Sequence, residues 1–103
     1  MSDVTKLVDD VGRAETLAEV LRSVAHPVRL RIIARLCERS CNVGELARTL
    51  GLRQSLVSQH LGLLRLHGLV SPQKNGTTTT YSISEKRLRK LVGCLVECRR
   101  GED

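Results

Sequence analysis

The apolar residues near the start of the chain recur at the spacing of an α-helix. Between Val4 and Val24 they fall at Leu7, Val8, Val11, Ala14, Leu17, Ala18 and Leu21. This spacing predicts a first helix over that segment. His26-Pro27 ends it, because a residue before proline is disfavoured in the α region.

A second helix is predicted directly after this break. Proline suits the first turn of a helix, and the next segment runs from Val28 to about Glu38. Its apolar positions form one stripe made of Leu30, Ile33, Ala34 and Cys37. A stripe of this kind is typical of a helix packed on one side against a core.

Two shorter helices follow, with a tight turn between them. Asn42 and Glu45, three positions apart, form a capping-box-like start. The helix that they open runs from Val43 to Leu50, and Gly51 ends it. A further apolar period predicts a helix from about Gln54 to His67. Two helices joined by a short glycine-containing turn are typical of a helix-turn-helix.

The pattern then changes from helical to β. Asn75-Gly76 is a strong hairpin signal, and a run rich in β-branched residues follows it from Thr77 to Ile83. Pro72 restricts the preceding strand to the edge of a sheet. Ser84 is predicted to cap a last helix, from Glu85 to about Arg99. The apolar residues of this helix are Leu88, Leu91, Val92 and Leu95.

The order of four helices, a hairpin and a helix predicts one mainly α domain over residues 1–103. Tyr81 is the only aromatic residue, so aliphatic side chains must fill the core, and each buries less area than a ring. A chain this short leaves much apolar surface unburied when it folds alone. Sharing a core between two copies would ease that shortage.

Composition also indicates the cellular compartment of the chain. No apolar run approaches the roughly 18–20 residues that span a bilayer, so no membrane contact is expected. Residues 1–10 contain three acidic residues and lack the order of a signal peptide. A cytoplasmic location is therefore expected, where the four cysteines would be ligands, redox switches or packing residues rather than disulfides.

The charge is positive and unevenly distributed. The formal net charge is +6, and no acidic residue lies between Glu45 and Glu85. That block carries Arg48, Arg53, Arg65 and Lys74. A basic surface suits a polyanionic partner. Because many basic domains bind no nucleic acid, the charge alone leaves both interpretations open.

Polar residues in the second helix of the pair favour DNA. They are Gln54, Ser55, Ser58, Gln59 and His60. The N-terminal part of a recognition helix enters the major groove, where glutamine pairs with adenine and serine serves any base or a phosphate. A phosphate or base contact is favoured for His60 over packing beside Leu61. Lys74, near the hairpin tip, is expected to reach the minor groove or the backbone.

The sequence also lacks the motifs that would indicate an enzyme. The sequence has no carboxylate pair, no glycine-rich phosphate loop and no paired nucleophile and base. The chain is therefore predicted not to be an enzyme.

Several segments together resemble the ArsR/SmtB family of bacterial winged-helix repressors. They are residues 21–33 (LRSVAHPVRLRII), 42–47 (NVGELA), 55–61 (SLVSQHL) and 77–82 (TTTTYS). The resemblance implies a winged helix-turn-helix and a homodimer built from the first and last helices. It also implies that the dimer binds a palindromic operator and releases it when an effector binds. Arg53 stands where the family has a small capping residue, and the wing tip lacks the usual arginine. Arg53 and Thr77 join the candidate DNA contacts.

The cysteines form two pairs with a spacing of four residues. Cys37 and Cys41 flank the end of the second helix, and Cys94 and Cys98 lie on the last. On a continuous helix this spacing places both thiols on one face. Two such thiolates suit zinc, cadmium, copper(I) or trivalent arsenic. A disulfide within a pair is disfavoured, because Cβ atoms about 5–6 Å apart exceed the roughly 3.5–4.5 Å of a disulfide.

Other roles for these thiols remain open. Free cysteine is among the most buried residue types, so Cys37 is as well explained by packing. By resemblance, some family members sense oxidants or reactive sulfur through one cysteine on each of the second and last helices. Cys98 is close to the last-helix position, but the other position falls on Ala34. The metalloid motif of other members falls on Asn42 and Gly44, next to Cys41.

The expected effector is thus a soft metal or metalloid such as arsenite, cadmium or zinc, with Cys94 and Cys98 as the stronger pair. Oxidation or reactive sulfur is the alternative, and a repressor without a cysteine effector is the third. Whether Cys37 and Cys41 join the other pair in one site stays open.

Overall fold

The structure is a computed structural model that describes residues 6–97. Within these residues the chain forms five helices and one two-stranded antiparallel hairpin, which confirms the predicted order. The elements are α1 (Val11–Val24), α2 (Pro27–Glu38), α3 (Val43–Leu50), α4 (Gln54–Leu66), β1 (Val70–Asn75), β2 (Thr78–Ile83) and α5 (Arg87–Glu97). None of these helices is both long enough and apolar enough to cross a membrane.

Helix α1 begins later than predicted. Asp10 caps it, since its Oδ1 accepts the backbone N–H of Arg13 at 2.9 Å. Residues 7–9 form a turn before the cap, so the prediction of one continuous helix through this segment is wrong. The Asp10 side chain satisfies an N-terminal N–H that a longer helix would bond internally. The predicted start at Val4 itself lies outside the described residues.

The core is aliphatic and lies between α2, α4 and α5. Its fully buried side chains include Ile32, Ile33, Leu36, Leu46, Val57, Leu61, Leu64, Leu69 and Leu88. The buried face of α2 differs from the predicted stripe of Leu30, Ile33, Ala34 and Cys37. Leu30 and Ala34 are exposed, and only Ile33 of these four is fully buried. Leu30 and Ala34 instead line a groove against Val92 and Leu95 of α5. Because α2 carries apolar residues on two faces, the sequence pattern did not determine which face is buried in the core.

Helices α3 and α4 are held at a fixed angle by local hydrogen bonds. The capping box is complete, with the Glu45 N–H donating to Asn42 Oδ1 at 2.8 Å and the Asn42 N–H to Glu45 Oε1 at 2.9 Å. Gly51 has φ of 70°, which only glycine adopts without strain. Arg31 of α2 donates to the Leu50 carbonyl at 2.9 Å, so the end of α3 is satisfied from outside the helix. These bonds confirm the predicted helix-turn-helix.

The hairpin forms the wing. Its register runs from Val70 opposite Ile83 to Asn75 opposite Thr78. The loop is therefore Gly76-Thr77, one residue later than the Asn75-Gly76 signal indicates. Gly76 has φ of 67° and Thr77 does not have a positive φ, as in type II′ turns, which place glycine at the first central position.

A β-bridge ties the wing to the helices. The Tyr81 N–H donates to the Cys41 carbonyl at 2.7 Å, and the Cys41 N–H donates to the Tyr81 carbonyl at 3.2 Å. The bridge uses the outer side of β2, so β1 remains the edge strand that Pro72 predicts. The base of the wing is thus fixed to the segment that enters α3.

Helix α5 begins at Arg87, and Ser84 does not cap it. The Ser84 hydroxyl donates to the Gly68 carbonyl at 2.9 Å, while Glu85 Oε2 accepts the Arg87 backbone N–H at 3.1 Å. The Arg87 guanidinium bonds the same carboxylate at 2.8 Å, and these bonds lower the pKa of Glu85 to about 2. The predicted capping role of Ser84 is wrong because Glu85 takes it. The predicted end at Arg99 lies outside the described residues.

Candidate nucleic-acid interface

Helix α4 separates apolar and polar residues onto two faces. Val57, Leu61 and Leu64 are buried in the core. Ser55, Ser58 and Gln59 are exposed, and their spacing of three and four residues places them on one side of the helix. Three hydrogen-bonding side chains therefore lie together on the outer face of a helix whose inner face is anchored.

The N-terminus of α4 is polar and open. Arg53 occupies the N-cap position in an extended conformation, and its side chain bonds none of the first N–H groups. Arg53 and Gln54 are both exposed. A β-carbon on Gly44 of α3 would lie 3.6 Å from an Arg48 guanidinium nitrogen and 3.6 Å from Gln54 Nε2. The Arg48 and Gln54 side chains thus both lie over the first turn of α3. Together with Arg53, they present hydrogen-bond donors.

Within the described part of the chain, the positive charges of this region have no acidic partners. Among residues 6–97 the only ion pairs are Arg35 with Glu38 at 2.9 Å and Arg87 with Glu85 at 2.8 Å. The basic side chains of the block that lacks carboxylates take part in neither: Arg48, Arg53, Arg65 and Lys74. All four are exposed. The resulting positive field favours a polyanion.

The two candidate residues of the wing are also accessible. Lys74 lies on β1 opposite Thr79, and Thr77 lies in the loop. Both side chains are exposed. A short ribbon with one cation and a hydroxyl at its tip is suited to a backbone contact.

His60 is the exception among the predicted contacts. It is only 8% exposed, and its ring centroid lies 4.5 Å from that of His26. Arg29 Nε donates to His60 Nδ1 at 3.2 Å. The ring packs between α4 and the start of α2, so its burial gives no support to the DNA contact, which stays a prediction. The helical phase contains the missed signal, since His60 stands three residues after Val57 and four before Leu64.

A second surface of the chain is apolar and exposed. On α1 and the turn before it, Val8, Val11 and Leu21 are 80%, 70% and 51% exposed, and on α5 Leu95 and Val96 are 57% and 72% exposed. A groove lies between the same two helices and is lined by Leu7, Leu17, Val20, Leu21, Arg87, Leu88 and Leu91. Exposed apolar surface of this kind is typical of a protein–protein interface. We call it the α1–α5 surface.

The first pair of cysteines does not share a helix face. Helix α2 ends at Glu38, so Cys41 lies beyond it, 2% exposed and within the bridge to Tyr81. Cys37 is half-buried, and its carbonyl accepts a hydrogen bond from Arg89 of α5. Burial raises the pKa of the Cys37 thiol, and the nearby Arg89 only partly opposes this. The condition that the helix continues through Cys41 is therefore not met.

The second pair is described only in part. Cys94 is exposed on α5, while Cys98 lies outside the described residues. Within residues 6–97, no three side chains of His, Cys, Asp or Glu lie close enough together to hold a metal ion. Cys94 is thus the described thiol most accessible to a reagent or an ion.

Comparison with known proteins points to one family. The model of "Bacterial regulatory protein, arsR family" matches residues 26–71, which include the helix-turn-helix. A biofilm growth-associated repressor of Xylella fastidiosa is 37% identical over 83 residues, which are 81% of this chain and 73% of the relative. The nodulation protein NolR of Rhizobium meliloti is 42% identical over 80% of this chain and 67% of its own length.

Solved structures share the fold over most of the chain. HlyU of Vibrio cholerae superposes with a TM-score of 0.81 at 32% identity, covering 87% of this chain and 100% of that one. A structure described as reduced HlyU gives 0.79 at 32%, covering 85% and 95%. A homodimeric winged helix-turn-helix domain of Mb0332 from Mycobacterium bovis gives 0.74 at 25%, covering 82% and 79%. These similarities agree with the element order described above.

Proposed function

Because this chain belongs to the arsR family of bacterial regulatory proteins, we propose that it is a homodimeric transcriptional repressor that binds double-stranded DNA through α4. The observation that carries the proposal is the outer face of that helix. Ser55, Ser58 and Gln59 are exposed there, and no carboxylate occurs between Glu45 and Glu85. Short polar groups on an anchored helix within a positive field suit base edges flanked by phosphates.

The dimer is part of the proposal. The α1–α5 surface leaves Leu21 and Leu95 about half exposed in the single chain, and a second copy would cover them. One relative in this fold is described as homodimeric. Two copies related by a two-fold axis would present two α4 helices to an operator with inverted half-sites about 34 Å apart.

We further propose that an effector acts on cysteine thiols to release the DNA. Cys94 is exposed on α5, next to the α1–α5 surface, so a change there acts on the proposed dimer. A soft metal or metalloid such as arsenite, cadmium or zinc is one class of effector. A site of three or more ligands would require Cys98 or the second copy, because residues 6–97 contain no such group.

Thiol oxidation or reactive sulfur is the second candidate. It needs only two cysteines rather than a full ligand set, and the relative HlyU has a structure described as reduced. Both candidates use Cys94 and Cys98, and they differ in what reverses the release. A dithiol restores binding in both cases, because it binds soft metals and metalloids and also reduces disulfides, whereas a phosphine reductant without thiols restores binding only after oxidation.

The test uses fluorescence anisotropy with a duplex enriched from a randomised library, which we call the selected duplex. We expect arsenite, cadmium, zinc or a persulfide donor to raise the Kd about 5- to 150-fold, which corresponds to a coupling of about 1–3 kcal/mol. The double variant Cys94→Ser/Cys98→Ser is expected to lose this response and still bind. If no compound changes the Kd of the wild type, the thiol effector is refuted while DNA binding stands.

The matched control is Cys41→Ala. It removes a buried thiol at the base of the wing, so it is expected to lower the Tm and to keep the release. Loss of release in Cys41→Ala but not in Cys94→Ser/Cys98→Ser would place the sensor at the wing instead.

A further inference from the structure

His60 belongs to a polar cluster inside the protein, beneath the recognition face of α4. Its ring is tilted by 46° against the ring of His26, with 4.5 Å between the centroids. Arg29 Nε donates to His60 Nδ1 at 3.2 Å. His26 is itself fixed, because its Nδ1 accepts the Val28 N–H at 3.1 Å as the cap of α2. The inner side of α4 is therefore held by a defined hydrogen bond as well as by apolar packing.

Arg29 joins this cluster to α1. Its second donor bonds the Ser23 carbonyl at 2.9 Å, in the last turn of α1. Ser23 is buried, and its hydroxyl bonds the Glu19 carbonyl at 2.8 Å. One guanidinium thus connects α1, which carries part of the α1–α5 surface, to α4, which carries the DNA-facing residues.

The Arg29–His60 bond exists only when the ring is neutral. Since Nδ1 accepts the bond, the neutral ring carries its proton on Nε2. A second proton would occupy Nδ1, remove the acceptor and place a cation against the guanidinium. Burial first, then His26 and Arg29, lower the pKa of His60 below its ordinary value of 6.5.

No carboxylate compensates a charged His60. Arg29 and His26 are the neighbouring titratable groups that shift its pKa. Glu19 and Arg22 of α1 and His67 at the end of α4 line the cleft beside Arg29. Among the hydrogen bonds of the described residues, Glu19 reaches this cluster only through its backbone carbonyl. Protonation of His60 therefore adds an unpaired positive charge to a basic cluster.

We propose that the neutral His60 ring, held by Arg29, is a positioning residue for α4, so that acidification weakens DNA binding. This inference rests on the proposed DNA-binding function. Its sign follows from the geometry, because protonation of Nδ1 removes the Arg29 bond that holds α4. By linkage, the lowered folded-state pKa means that this bond also stabilises the folded state only while the ring is neutral. The stabilisation is complete above pH 6.5 and is lost as the pH falls through the lowered pKa of His60. A histidine that contacts phosphate would give the opposite trend, with tighter binding in acid.

The experiment compares Kd values for the selected duplex at constant ionic strength. From about pH 7.5 to about pH 5.5 the Kd of the wild type is expected to rise, by up to tenfold for each pH unit below the pKa of His60, because the neutral fraction falls in that proportion. In His60→Asn, the amide oxygen replaces Nδ1 as the acceptor and does not titrate. At about pH 7.5 the Kd of His60→Asn is expected to match that of the wild type. Between about pH 7.5 and about pH 5.5 it is expected to change less than about twofold.

The control is His67→Gln, which removes an exposed histidine and should keep the wild-type profile. Nitrogen chemical shifts of the histidine rings in the wild type provide a readout that needs no folded variant. They are expected to report the Nε2–H tautomer for His60 and a titration midpoint that coincides with the loss of affinity.

Three results would overturn the proposal. They are a wild-type Kd that stays constant or falls in acid, a His60→Asn profile like that of the wild type, and a loss of helical circular dichroism that parallels the loss of affinity. The last would mean global unfolding instead of displacement of α4. Failure of the underlying DNA-binding function is distinguishable, because no duplex would then bind at about pH 7.5.

Discussion

Replacing Leu21 by aspartate is expected to convert the chain to a monomer and to raise the Kd for the selected duplex at least about 100-fold. Leu21 is about half exposed on α1 and lines the groove against Leu88 and Leu91. An unpaired carboxylate in the middle of an apolar interface costs several kcal/mol, because it loses water and gains no partner. A monomer then holds only one of two half-sites.

Static light scattering and anisotropy measure the two effects. The matched control is Leu66→Asp, which adds the same charge at a residue that is 76% exposed at the end of α4, outside the α1–α5 surface. It is expected to keep the mass of a dimer. Circular dichroism establishes that Leu21→Asp remains folded. If Leu21→Asp has the mass of a dimer and binds with unchanged affinity, the α1–α5 surface is not the interface.

The double variant Ser58→Ala/Gln59→Ala is expected to lose about 10- to 100-fold in affinity for the selected duplex. Both side chains are exposed on the outer face of α4, and each well-placed pair with a base contributes about 1–3 kcal/mol of discrimination. The Tm should stay within about 2 °C, since alanine is a better helix former and neither side chain is packed.

A phosphate contact gives the contrasting behaviour. Arg53→Gln is expected to weaken binding to the selected duplex and to a scrambled duplex alike, and to reduce the salt dependence of both. The Ser58→Ala/Gln59→Ala variant should lose affinity for the selected duplex alone. Equal losses on both duplexes in the double variant would remove these residues from base recognition.

The helix-turn-helix was predictable because its signals are local. Asn42, Glu45 and Gly51 act through hydrogen bonds and backbone angles within a few residues of their own positions. The polar N-terminal half of α4 likewise follows from its composition. Seven of the eight predicted DNA contacts are exposed, and they are Arg53, Gln54, Ser55, Ser58, Gln59, Lys74 and Thr77.

The errors arose where a tertiary partner decides between two local possibilities. His60 lies in a polar run, and only its partners Arg29 and His26 reveal that the ring faces inward. Ser84 is a preferred N-cap residue, but its hydroxyl donates to the Gly68 carbonyl sixteen residues away, and Glu85 accepts the Arg87 N–H instead.

The cysteines show the same limit. The spacing places Cys37 and Cys41 on one helical face only if the helix is continuous. Helix α2 ends at Glu38, and Cys41 pairs with Tyr81 in a β-bridge beyond that end. The pairing of distant backbone groups is not encoded in the interval between two residues. The prediction for Cys94 and Cys98 depends on how far α5 continues, and it remains a prediction.

The most direct test of a two-fold protein reading DNA through α4 is the sequence of the duplexes enriched from a randomised library. We expect two identical half-sites in inverted orientation, with centres about 10–10.5 base pairs or a multiple of that apart. Enrichment of a single site without inverted symmetry, or no enrichment over unselected DNA, would contradict the account.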